Sequence, residues 1–164
     1  EQIDRINKET QLSKKTGDFT NLINVYEDII FNEGLCFRGK PHLVTLAELY
    51  YKKGEFDRAW GYLSNLGRGS ENAEIMDLIR DVQVKILKKE EKYIDALVYQ
   101  MAALFYQNTN GIKPTDKKIE SKLRGLVKKC NLEDKYDYIL YLIFNSKYEI
   151  DLRHNFKEML KVKK

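Results

Sequence analysis

The chain has 164 residues, 43% of them hydrophobic, 12% aromatic and 33% charged, with a formal net charge of +4. That supply of apolar side chains suits a packed core and excludes a disordered chain. The best apolar run, 138–144, falls far short of the roughly 20 residues that cross a bilayer, and only two prolines and nine glycines favour helices throughout.

Residues 1–16 read as a first helix with sparse apolar points at Ile3, Ile6 and Leu12. Gly17-Asp18 turns the chain into a second helix, Phe19 to Asn32, with Leu22, Ile23, Tyr26, Ile29 and Ile30 inward and Gly34 closing it. Leu35 to His42 is an irregular link whose Pro41 suits the first turn of the next helix. Residues 43–66, LVTLAELYYKKGEFDRAWGYLSNL, carry the clearest pattern. Leu43, Leu46, Ala47, Leu49 and Tyr50 share one helical face, and Phe56, Ala59, Trp60, Leu63 and Leu66 share another. Gly54 between them can take the left-handed conformation that reverses the chain.

A glycine-rich loop is expected at 67–70, then a helix from Ala73 to Lys89 with Ile75, Met76, Ile79, Val82, Ile86 and Leu87 apolar. Glu90-Glu91-Lys92 turns into a partner helix beginning with Tyr93, Ala96, Leu97, Met101 and Leu104. Asn108 to Pro114 is the strongest breaker. Thr115 or Asp116 can cap a helix to Lys129 with Ile119, Leu123, Leu126 and Val127 inward. Two more helices follow, Asp134 to Asn145 and one from Asp151 that carries Leu152, Phe156, Leu160 and Val162.

Phe19, Phe56 and Tyr93 are spaced 37 residues apart, each just after a turn that follows a lysine pair: KKTGDF, KKGEFD and KKEEKY. A recurring period of this size points to stacked helical hairpins. The middle copy, with Leu46-Ala47 and Tyr50 before the turn and Gly54, Phe56 and Ala59 across it, resembles a tetratricopeptide repeat. The resemblance covers residues 3–104. It implies an all-α, right-handed stack of about three antiparallel helical hairpins, residues 1–107. Residues 108–164 would form a C-terminal helical cap within the same compact domain, because solenoid ends must be covered.

The residues offer little for catalysis or metal binding, so no cofactor and no enzyme activity are expected. His42 and His154 have no partners at metal-ligand spacing, and neither Cys36 nor Cys130 has a histidine near it in sequence. Gly67-x-Gly69-Ser70 follows a helix rather than a strand and lacks a following lysine, so it reads as a plain loop and not a phosphate cradle. The cysteines read as two buried thiols in a reducing cytoplasm. The chain opens at Glu1 without a methionine, so a trimmed piece with a neighbouring domain is expected.

The tetratricopeptide resemblance implies instead a groove lined by the first helix of each hairpin, holding a peptide or protein segment. Carried over by the turns, its positions are Asn7, Gln11 and Lys14, then Val44, Glu48, Tyr51 and Lys52, then Asp81, Lys85 and Lys88. The lysine row suits an acidic ligand or a C-terminal carboxylate. A chaperone-tail receptor is not expected, since Asn7, Gln11, Thr45, Leu78 and Val82 stand where the carboxylate clamp would be.

The alternative is a nucleic-acid-associated domain. Residues 113–164 hold 14 of the 29 basic and 8 of the 25 acidic side chains, a net +6 against −2 for residues 1–112. Tyr136, Tyr138, Tyr141 and Tyr148, interleaved with Lys135 and Lys147, could stack bases beside Lys128 and Lys129. A third reading is the sensor half of a larger peptide-responsive regulator. No membrane partner is expected.

Overall fold

A computed structural model describes residues 2–32, 40–69 and 73–162. Among them the regular structure is helical throughout, with no strand. The expected all-α class is therefore observed. The chain divides into two compact units, residues 1–82 and 83–164.

In the first unit, α1 (Gln2–Thr16) packs on α2 (Thr20–Glu27), α2 on α3 (Lys40–Lys53), and α3 on α4 (Phe56–Gly69). The N-terminal part of α5 (Ala73–Lys89) completes this unit. α1 has few apolar side chains, and its one buried residue is Ser13, whose hydroxyl donates to the Glu9 carbonyl at 2.8 Å. A 2.7 Å ion pair from Arg5 to Asp28 ties it to the end of α2.

The second helix departs from the expected run to Asn32. The α-helix stops at Glu27 and widens into a π-helical turn over Asp28–Asn32. Ile29 and Ile30 are both buried in this turn, as expected. Leu46, Ala47, Ala59 and Leu63 are completely buried, as the small-residue crossing of α3 and α4 requires. Residues 67–69 continue α4, where a loop was expected; Gly34, Cys36 and Ser70 lie outside the described residues.

In the second unit, α6 (Tyr93–Thr109) is the hub. It packs on α7 (Asp116–Lys129), α8 (Tyr136–Asn145) and α9 (Glu149–Val162), and α8 also packs on α9. Its buried set extends beyond one stripe to Gln100, Ala102, Ala103, Phe105 and Gln107. A helix covered on several sides is apolar nearly all round, which is what its sequence shows. Thr115 caps α7 by accepting from the Lys118 N–H at 3.2 Å. A short 3₁₀ turn, Glu133–Lys135, leads into α8.

The turns explain the 37-residue spacing. Gly17, Gly54 and Glu91 stand 37 positions apart and all have positive φ, +73°, +89° and +59°. After Gly54 the Glu55 N–H reaches back to the Tyr50 carbonyl at 2.9 Å, and after Glu91 the Lys92 N–H reaches Leu87 at 2.9 Å. This is the six-to-one bond of a Schellman ending. Asn131, at φ +56°, repeats the geometry through Leu132 to Val127, again after a lysine pair. That turn has no glycine and falls 40 residues after Glu91, so the fixed period does not find it.

Candidate functional site

α1 offers one continuous outward face. Ile3, Asn7, Gln11 and Lys14 follow at spacings of three and four, and all are exposed, Ile3 at 71%. The helix can afford this because its inward side needs only Ile6 and Ser13. On α3 the expected set divides. Val44 is 4% exposed and belongs to the core, so it offers no contact to a ligand. α3 is covered on more than one side, and its period alone could not say which apolar residue stays outside.

Glu48 and Tyr51 are half-buried, and Tyr51 leans on Phe56 with ring centroids 5.7 Å apart. Lys52 is exposed, with its ammonium 5.6 Å above the Phe19 ring. Phe19 follows the turn that ends α1, so Lys52 is held where α1 turns into α2. Lys52 thus joins the α1 end of the surface, whereas Val44 does not. On α5, Asp81 and Lys85 are half-buried and Lys88 is exposed. Leu78, 46% exposed, shares the helical face of Asp81 and Lys85.

A second cluster in the first unit drew no sequence signal, because its members come from three helices. The Tyr50 hydroxyl donates to the Glu27 carboxylate, and Arg58 donates to the same hydroxyl at 3.5 Å. The Arg58 guanidinium sits 5.2 Å from the centre of the Tyr50 ring. Tyr62 stacks on Tyr50 at 5.8 Å, and the exposed Phe31 stacks on Tyr62 at 6.3 Å. Burial, then the bond to Glu27, pushes the Tyr50 hydroxyl up to about 12. A hydroxyl so reluctant to ionise stays protonated at neutral pH, where it serves as a hydrogen-bond donor. Its role is to clamp α2, α3 and α4 together.

His42 is half-buried with its ring 5.8 Å from that of Tyr26. His154 is exposed on α9, and Cys130 is a half-buried free thiol at the end of α7. Among the described residues, no group of three or more His, Cys, Asp or Glu could hold a metal ion, and no helix is long and apolar enough to cross a membrane.

The tyrosines of the basic third part company. Tyr136 is 6% exposed and cannot stack a base. Tyr138 and Tyr141 are exposed and stack on each other at 6.1 Å, while Tyr148 is exposed beside the Lys147 ammonium. Asp134, Asp137 and Glu158 line the cleft beside Tyr138, with Lys135. Lys129 sits 5.4 Å above the Tyr93 ring. Comparison with protein-family models, with curated proteins and with solved structures finds no match to this chain.

Proposed function

We propose that the protein is a non-catalytic, tetratricopeptide-like binding module that takes a peptide or a segment of a partner protein. The observation that carries this reading is the outward face of α1, where an exposed Ile3 continues through Asn7 and Gln11 to Lys14, near the turn that holds Lys52. An exposed large apolar side chain in line with cations suits a ligand that is apolar in part and acidic in part. Lys88, with Lys85 and Leu78 on α5, repeats that combination of side chains.

The test is fluorescence anisotropy with labelled acidic peptides that carry an apolar residue and a free C-terminus. Binding is expected to weaken between about 50 and 300 mM salt as screening grows. Joint reversal, Lys14→Glu with Lys52→Glu, should lower affinity about tenfold or more, and Ile3→Ala should lower it without changing the salt slope. Unchanged affinity in both variants removes the α1 face from consideration.

A nucleic-acid reading draws on the exposed Tyr138, Tyr141 and Tyr148. The carboxylates beside Tyr138 oppose a phosphate backbone there, so the peptide reading is preferred.

A further inference from the structure

α8 and α9 are joined by a short link, 146–148, and pack on each other, so they run antiparallel. Between the start of α8 and the end of α9 lies a groove of about 600 Å³. Its apolar surface is Tyr138, Met159 and Val162, of which Tyr138 is 41% and Val162 80% exposed. Large apolar side chains that meet at one opening mark a contact surface, where scattered ones would not. Tyr141 stacks on Tyr138 with ring centroids 6.1 Å apart, which braces the Tyr138 ring.

The charge of this groove opposes that of its surroundings. Asp134, Asp137 and Glu158 line it with Lys135, and Lys161 bonds Glu158 at 2.9 Å. Asp134 and Asp137 are exposed, and neither is ion-paired among the described residues. Three carboxylates against two lysines leave the groove negative, whereas residues 113–164 as a whole carry a net +6. The second unit also sets cations on tyrosine rings repeatedly. Arg124 lies over Tyr136, Lys129 over Tyr93, Arg153 over Tyr99 and Lys147 beside Tyr148, at 3.9 to 5.6 Å from the ring centres. Tyr138 and Tyr141 carry no such cation among the described residues.

An exposed ring beside unpaired carboxylates, over an apolar floor, favours a cation that is flat and weakly hydrated. A guanidinium has both properties: it stacks on a tyrosine and donates in parallel to a carboxylate. The basic surroundings repel a strongly basic ligand, so the complementary one has a single arginine among apolar residues. We propose that this groove docks a segment of a partner protein that presents one arginine flanked by apolar side chains. The guanidinium takes Tyr138 with Asp134 and Asp137, and the apolar neighbours cover Met159 and Val162. The groove lies wholly in the second unit and does not depend on the α1 face.

The experiment titrates the full ¹⁵N-labelled chain with acetyl-Leu-Arg-Leu-amide. The same tripeptide with citrulline, lysine or glutamate in place of arginine serves for comparison. The arginine peptide is expected to shift the amides of residues 134–138 and 155–162 saturably, and to bind more weakly as salt rises. Citrulline keeps the shape of arginine without its charge and should bind about fivefold more weakly. Asp134→Asn with Asp137→Asn should lower affinity for the arginine peptide about fivefold, and Tyr138→Leu about threefold. All three positions are exposed, so both variants should keep their fold, which thermal melting checks.

Saturation that prefers arginine over lysine, citrulline and glutamate, and that weakens in both variants, assigns the groove to an arginine-bearing segment. Any of the other three peptides binding as tightly as the arginine peptide would overturn the proposal. So would an unchanged affinity in the paired aspartate variant, shifts confined to residues outside the groove, or no saturable shift.

Discussion

Glu91 ends α5 at φ +59°, in the left-handed region that costs a residue with a Cβ roughly 1–2 kcal/mol. Glycine there escapes that strain but gives back roughly 0.5–1 kcal/mol through its greater freedom in the unfolded chain. The ion pair of this turn, at 3.5 Å, belongs to Glu90 and Lys92, so it survives the change. Glu91→Gly should therefore stabilise by about 0.5–1 kcal/mol.

The mirror experiment is Gly54→Ala, in a turn with the same six-to-one bond. A Cβ added to Gly54 meets nothing within 4 Å, so the substitution carries only the backbone term, at φ +89°. It should destabilise by about 0.5–1 kcal/mol, with a melting shift of about 1–4 °C for a chain of this size. Urea denaturation followed by circular dichroism reads Glu91→Gly, and fluorescence of the sole tryptophan, Trp60, reads Gly54→Ala in the same unit. The m-value should stay constant in both. If the two midpoints move in the same direction, or Glu91→Gly lowers its own, the left-handed turn is not what sets the 37-residue spacing.

Two further outcomes follow from local geometry. The Tyr50 hydroxyl is raised in the folded state, so its contribution to stability is complete below the unfolded value near pH 10 and is lost as pH rises through about 12. Tyr50→Phe should cost about 1–2 kcal/mol at neutral pH and flatten the fall in stability between about pH 10 and 12. The slope should not vanish, because burial raises Tyr26, Tyr62 and Tyr136 too; a slope unchanged by Tyr50→Phe would refute the Glu27–Tyr50 clamp. Thr115→Ala removes the side-chain cap of α7 and should lower stability by about 1 kcal/mol, with Thr115→Ser close to the native value in the same denaturation assay.

Helices and their ends are local events, and the amino-acid sequence alone marked most of them. The α5 span Ala73–Lys89, the cap at Thr115 and the left-handed turns at Gly17 and Gly54 each depend on residues within one or two turns of chain. A lysine pair precedes each of these left-handed turns, including the one where Glu91 stands in place of glycine. Lys14 and Lys52 were legible as exposed because charged ends of helices rarely leave solvent.

Burial belongs to tertiary structure, and so do the sites that depend on it. Val44 is an ordinary apolar residue on a helical face, and only the packing around α3 put that face in the core. Tyr136 stands in a run with Tyr138 and Tyr141, and only the packing between helices buried the first and left the other two exposed. Glu27, Tyr50 and Arg58 meet because three helices converge, and no spacing along one chain encodes that meeting. Local sequence thus determined where the chain turns, while the contacts between helices decided which side chains face water and which face each other.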